Sequence, residues 1–474
     1  QWHLVLLNFM TCGLEICVAA GITYVPPLLL EAGVEEQYMT MVLGIGPVLG
    51  LILVPLIGSA SDNCQSTLGQ RRPFIWLFSV GVLLSLFIIP HADSLASFFS
   101  NREKNAHIFI LIFGVGLLDC CVQVCFTPLE ALLSDLCHDD EGCGQAFAMF
   151  SFMISFGGCI GYLLTSFNWN YTYMSLYLGG QDECLFLLLT VIFIISVLVT
   201  MKTSEEAFCS QQQRMDLKPT PTSGLLPRGC CVPKWKLRSW KCNPLFCLLS
   251  LCCSCCRIPS VMKQLCAAQL CSWMAVMSFM LFYTDFVGEG LYNGIPSAAP
   301  GTESRLRYDE GIRMGSVGLF LQCAISTFFS VIMNKLTKHF GPRRIYLASM
   351  VTFTSSALVI CLSQNILIVT IMSSLTGFAY ATLQTLPYTL ICLYHKEKDF
   401  KEAEGRTQDN YTPRGIGLDF AILDSTFLLS QVFPSLFMGM MVQFMENVTM
   451  YIASSVLFGV FAIYLANRVV FDQK

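Results

Sequence analysis

The sequence predicts an all-α integral membrane protein with twelve transmembrane helices in two pseudo-symmetric six-helix halves. Three observations carry this. Hydrophobic residues make up 54% and charged residues 13% of the 474 residues, with a mean hydropathy of +0.60; a soluble domain averages about 25% charged. Apolar runs long enough to cross roughly 30 Å of hydrocarbon recur along the whole chain. A short loop also occurs twice. GSASDNCQSTLGQRRPF carries Gly58, Asp62, Gly69, Arg71 and Arg72, and MNKLTKHFGPRRIY carries Asn334, Gly341, Arg343 and Arg344. The pairs Gly69/Gly341, Arg71/Arg343 and Arg72/Arg344 all lie 272 positions apart, as do Gly46/Gly318 and Leu49/Leu321 upstream. A loop repeated at one offset between apolar runs is the mark of a duplicated bundle.

The twelve runs centre near Cys17, Val48, Val82, Phe113, Ile154, Ile192, Met277, Phe328, Met350, Leu375, Phe433 and Phe458. In the first, Gly13, Cys17, Ala19, Ala20 and Gly21 flank Glu15, and such small residues let helices approach closely. The second and eighth run into the two copies of the repeated loop. The fourth carries Asp119, Gln123 and Glu130. Asp285 lies late in the seventh, and Asp419 and Asp424 lie in the eleventh after the glycines Gly415 and Gly417. The prolines Pro55, Pro128, Pro387 and Pro434 mark bends within runs, which membrane helices tolerate better than soluble ones. The chain opens at Gln1, without Met, straight into the first run, so a preceding segment is expected.

Charge sorting gives an expected orientation. With both termini inside, the outer loops hold Arg102, Lys104, Arg305, Arg307 and Arg313, and the other 23 of 28 Lys+Arg face inward, as the positive-inside rule requires. The overall charge of −4 is therefore uninformative about partners. Two sequons, at Asn170 and Asn447, fall in expected outer loops and are glycosylation candidates. Most of the 24 cysteines lie in spans or in the central inner loop, so no exterior disulfide framework is expected.

These boundaries give a first six-helix bundle over residues 1–201, a Cys-rich inner linker over 202–263, and a second bundle over 264–474. The linker passes from KPTPTSG into a basic, partly apolar stretch with Cys252, Cys253, Cys255 and Cys256. Lying on the inner leaflet, those cysteines are S-palmitoylation candidates; a plain linker is the alternative. No His lies there and the spacing is wrong for zinc, so no metal is expected. No phosphate loop, metal-binding helix or nucleophile elbow appears, which gives covalent catalysis no support and makes the protein a non-enzyme. Nothing suggests nucleic acid, and the chain is read as a monomer in the bilayer.

An ionisable side chain inside a span is costly, so each is a functional candidate. Lysine and arginine are confined to span edges, whereas acids remain, which makes a proton the simplest coupling ion and requires no other cofactor. Asp119, Glu130 and Glu15 are the proton-coupling candidates. A neutral, hydrogen-bonded structural acid is the alternative for Asp119, and tight packing the alternative for Glu15. Gln123, Asp285, Tyr283, Tyr388 and Asp424 are candidates for substrate contact, the tyrosines by stacking on a sugar ring. Gly58, Asp62, Gly69, Arg71 and Arg72, with Gly341, Arg343 and Arg344, form a gating motif. A helix N-terminus after Gly417 would offer Asp62 a partial positive charge. Arginines acting only as topology anchors are the other reading.

The runs GLEICVAAGITYVPPLLLEAGVEEQYMTMVLGIGPVLGL, CFTPLEALLSDL, LCSWMAVMSFMLFYTDFVGEGLY and LDFAILDSTFLLSQVFPSLFMG resemble the solute carrier 45 family of the major facilitator superfamily. That family is similar to the plant sucrose–proton symporters. The resemblance covers nearly the whole chain and implies the major facilitator fold and proton-coupled import of sucrose or related neutral sugars or polyols by alternating access. It matches Asp119 to the family's fourth-span acid. The plant proteins carry Arg where this chain has Glu130, a departure that bears on coupling and sugar preference. The expected protein is thus a symporter in the plasma membrane or an acidic organelle. The rival is a non-transporting membrane scaffold or sensor that keeps the fold.

Overall fold

The computed structural model describes residues 2–32, 42, 44–62, 64, 69–99, 103–136, 140–166, 181–216, 260–295, 302–403, 415–445 and 448–469. Those residues are helical apart from short connections. In chain order the first half contains α1 (Trp2–Leu7), α2 (Phe9–Glu31), α3 (Ile45–Asp62), α4 (Arg72–Ile88), α5 (Ala92–Phe99), α6 (Glu103–Asp135), α7 (Asp140–Ser166) and α8 (Gln181–Asp216). The second contains α9 (Ser260–Asp285), α10 (Glu303–Phe340), α11 (Pro342–Leu362), α12 (Ile366–Leu375), α13 (Gly377–Ala403), α14 (Ile416–Met445) and α15 (Thr449–Ala466). A π-helical turn, Phe286–Leu291, extends α9. Ten segments are long and apolar enough to span a membrane, two of them being the α9 extension and the joined α12–α13. The apolar helices α2 and α4 complete twelve among the described residues. All twelve expected centres fall inside them. Helix α8 runs on past residue 201 to Asp216, and α9 starts at Ser260. Cys252, Cys253, Cys255, Cys256, Asn170 and Asn447 lie outside the described residues.

The two loop copies turn the chain in the same way. Gly69 has φ +99° and Gly341 has φ +83°, a region closed to most L-residues but open to glycine. A proline follows at the start of each next helix, Pro73 in α4 and Pro342 in α11, where its missing N–H costs nothing. The duplication read from the offset is thus a duplicated backbone turn.

One apolar cluster lies within the first half, and a second joins the second half to α6 and α7 residues such as Ala131 and Phe147. In the first half, α2 packs on α7 and α8, and α6 packs on α3 and α4; in the second, α15 packs on α9 and α11. The α2–α7 approach depends on glycine: a Cβ on Gly157 would lie 2.7 Å from the Cys12 carbonyl and 3.0 Å from the Glu15 Cβ. Side chains such as Leu198, Phe109, Val331 and Leu362 remain exposed on the outer faces, the pattern of a bundle whose solvent is lipid. The halves meet along two crossings, α3 with α14 and α7 with α10 and α13. At the 272-residue offset α3 corresponds to α10.

Candidate functional site

The contacts between halves concentrate around the end of the bundle that carries Asp62. Helix α14 begins at Ile416, so the N–H groups of its first turn lack helical partners. Asp62, the last residue of α3, fills that role across the interface. Its Oδ1 accepts from the Gly417 N–H at 3.0 Å and its Oδ2 from the Leu418 N–H at 3.0 Å. Arg71, only 4% exposed, donates from Nη1 to Asp62 Oδ1 at 2.6 Å and to the Ser61 hydroxyl at 2.6 Å, and from Nε to Asp135 Oδ2 at 3.0 Å. Burial alone weakens the Arg71 charge, but the Asp135 and Asp62 carboxylates outweigh it and hold the guanidinium protonated beyond its ordinary range.

Three glycines make the latch fit. A Cβ on Gly417 would lie 2.7 Å from Arg71 Nη1 and from Asp62 Oδ1, and one on Gly58 would lie 2.7 Å from the Gly417 carbonyl. At Gly415 the Asp62 carboxyl occupies the space a side chain would need. A neighbouring pair, His395 and Asp419, meets at 3.2 Å.

Two turns deeper is a second layer. Asp424 on α14 accepts from the Thr127 hydroxyl of α6 at 2.6 Å and from the Tyr388 hydroxyl of α13 at 2.8 Å. Glu130, 2% exposed, lies against both Asp424 and Tyr388. The Tyr388 ring stacks on Phe147 at 5.7 Å and on Phe420 at 5.9 Å. Tyr388 and Asp424, expected to meet substrate, are thus engaged with each other at the interface.

Asp119 lies eleven residues before Glu130, so three turns of α6, about 16 Å, separate them on one helix face. Its neighbours are Gln123, whose amide is 3.5 Å away, and the α3 backbone, since the Asp119 carboxyl fills the space beside Gly46. Glu15 faces the central region, within electrostatic reach of Tyr162 on α7 and Tyr380 on α13. Beside Tyr380, Trp273 meets its ring edge-on at 5.8 Å and Phe427 at 4.7 Å, while the Ser151 hydroxyl donates to Gln384 at 3.3 Å.

A chain with duplicated halves, a charged latch at one end and acids in its spans can now be set beside known proteins. Residues 5–210 match the family model described as MFS/sugar transport protein. The mouse protein "Solute carrier family 45 member 3" is 49% identical over 100% of this chain and 96% of its own length. This chain belongs to solute carrier family 45. The human "Proton-associated sugar transporter A" is 21% identical over 94% of this chain and 83% of its own length. Among solved structures, the proton:xylose symporter XylE, bound to 6-bromo-6-deoxy-D-glucose, superposes with a TM-score of 0.60. It covers 98% of this chain and 95% of its own at 12% identity, which shows a common fold. The fold is that of a major facilitator superfamily transporter, and the chain is a multi-pass membrane protein.

Within this solute carrier 45 chain the second loop copy is built differently. Asn334, the counterpart of Asp62, faces α7 close to Gly144. Arg343 is exposed and donates to the Asn467 carbonyl at 3.2 Å. Gly341 forms the turn; Arg344 and Arg72 each open the helix that follows. The remaining candidates are scattered. Tyr283 is fully buried inside the second half, its ring 4.9 Å from Phe279, and Asp285 accepts from the Tyr308 hydroxyl at 2.9 Å. Sequence reasoning did not single out Thr127, Tyr162, Trp273 or Gln384. Thr127 had a usable signal, one turn before Glu130; the others lie on separate helices and carry none.

Proposed function

We propose that this protein imports sucrose or related neutral sugars or polyols together with protons by alternating access. Asp119 is the coupling site, and Asp62 with Arg71 and Arg72 closes the inner end. The observation that carries this reading is the set of acids inside the spans: Asp119 and Glu15 sit there beside hydroxyls and an amide rather than beside lysine or arginine. A carboxyl kept in a bilayer without a cation is suited to binding a proton. Tyr162 and Tyr380 within reach of Glu15, with Trp273 and Gln384 beside Tyr380, would supply the ring faces and hydrogen-bonding groups a sugar needs. The names of the relatives, one a proton-associated sugar transporter, agree with this choice. The charge count supports an orientation with the Asp62 end and both termini in the cytoplasm, and the plasma membrane is the proposed location.

The test is uptake of radiolabelled sucrose into proteoliposomes under an imposed pH gradient. Accumulation that follows the gradient and is lost in Asp119→Asn supports the reading. Uptake indifferent to the gradient overturns proton coupling. Unchanged gradient-driven uptake in Asp119→Asn overturns the site, and no uptake of any tested sugar moves weight to a scaffold or sensor.

A further inference from the structure

The Glu130–Asp424 layer does something the latch and Asp119 do not. Two carboxyls from opposite halves meet where water is excluded, Glu130 at 2% and Asp424 at 7% exposure. The groups facing them are known on every side. From α13 comes Tyr388, and from α6 itself Thr127. From α7 come Phe147 and Phe150, and from α14 Phe420, which surround the Tyr388 ring. Helix α3 has no ionisable residue between Ile45 and Ala60. In the next layer Arg71 is engaged by Asp62 and Asp135, and His395 by Asp419. Two like charges cannot both be held here without a cation.

The hydrogen bonds also assign the two roles. Asp424 has a donor on each oxygen, Thr127 on Oδ2 and Tyr388 on Oδ1, as a carboxylate requires. Glu130 meets Asp424 and Tyr388 through its other oxygen, while its Oε2 is buried with no hydrogen-bond partner. We infer that Glu130 is a proton-binding site of its own, whose proton bridges to Asp424 and holds the two halves closed at the Asp62 end. The pair is sealed only while α6 and α14 stay together. When the halves part there, the Glu130 O–H bond breaks, its proton passes to water on that side, and two carboxylates remain facing the gap. Closing again requires a proton from the same compartment. This proton is bound and released on one side, so it is not carried across. It makes closure sense the pH at the Asp62 end, apart from any coupling through Asp119.

The inference rests on the alternating-access part of the proposed function and not on its substrate, so the test uses no sugar. The full chain in nanodiscs is examined by amide hydrogen exchange at Gly417 and Leu418, whose N–H groups are bonded across the interface. Rates are corrected for the intrinsic pH dependence of exchange. In the wild type, protection is expected to fall about tenfold per pH unit above the midpoint, the slope for release of one proton. Glu130→Gln keeps a donor toward Asp424 without a titrating group, and its protection is expected to be high and flat with pH. Asp424→Asn leaves Glu130 buried and still in need of its proton, so the pH dependence is expected to remain. A flat wild-type profile, an unchanged slope in Glu130→Gln, or loss of the slope in folded Asp424→Asn would each overturn the assignment. Failure of sucrose uptake would leave these results untouched.

Discussion

Replacing Asp62 by Asn keeps the shape of the latch and removes its charge, which makes it the sharpest perturbation of the closed end. The carboxylate accepts two backbone N–H groups at 3.0 Å and the Arg71 guanidinium at 2.6 Å. An amide in its place can accept with one atom only and turns its NH₂ toward donors. Arg71 and Asp135 lie in the first half with Asp62, so only the two N–H bonds cross to α14. A hydrogen bond to a charged group contributes about 1.5–3 kcal/mol, and the amide gives up at least one of the two. At 1.4 kcal/mol per factor of ten, the closed-to-open ratio at this end falls about ten- to a hundredfold. Spin labels introduced as unnatural amino acids at Gln70 and Lys335, exposed positions on the two halves at that end, report the separation by double electron–electron resonance. The wild type should give mainly the short distance, and Asp62→Asn a population moved to the long one. An unchanged distribution in a folded variant would show that the latch does not hold the end closed.

Further outcomes are expected from the same geometry. Gly417→Ala puts a methyl 2.7 Å from both Arg71 Nη1 and Asp62 Oδ1 and should open the same end; a closed distance distribution would contradict this. Gly69→Ala meets no neighbour but is strained by its φ of +99°, so it should lower thermal stability by about 1–2 kcal/mol without shifting the spin-label distances. Asn334→Asp should not create a second latch, since the exposed Arg343 is bonded to the Asn467 carbonyl instead; a stabilised closed state would refute that. Asp119→Asn should abolish gradient-driven sucrose accumulation while leaving exchange of internal for external sucrose in place, and loss of both would point to a substrate contact instead.

The contact of Asp62 with the α14 N-terminus was legible in the sequence because its parts are local: an acid ending one span and a glycine pair opening another helix. A helix N-terminus offers unpaired N–H groups whatever surrounds it, so pairing it with Asp62 needed no knowledge of the packing. The Glu130–Asp424 contact was not legible. The two residues belong to different halves, and the α6 face shared by Asp119 and Glu130 says nothing about what lies opposite. The Tyr388 hydroxyl bond was hidden for a related reason, since an aromatic side chain in a span reads as a ring face, while its hydroxyl finds its partner only once α13 and α14 pack.

The unequal halves of the duplication also give an expected direction for any opening at this end. Its two crossings are equivalent by the 272-residue offset, yet their chemistry differs. The α3–α14 crossing carries the Asp62–Arg71 charges, and just behind it lies the Glu130–Asp424 pair. The α7–α10 crossing is held by hydroxyl pairs, Ser151 with Ser330 at 2.8 Å and Ser155 with Ser326 at 2.7 Å. Ser326 and Ser330 lie one turn apart, and Ser330 also bonds the Ser326 carbonyl, so these hydroxyls can exchange partners without stranding a charge. Parting α3 from α14 exposes buried ions that water can then solvate. The expected motion pivots about α7 and α10, where hydroxyl partners can be exchanged, while α3 swings away from α14. Labels spanning α3 and α14 should accordingly separate further than labels spanning α7 and α10. Equal separation at both crossings would mean that the charges, though placed on one side only, do not set the direction of the movement.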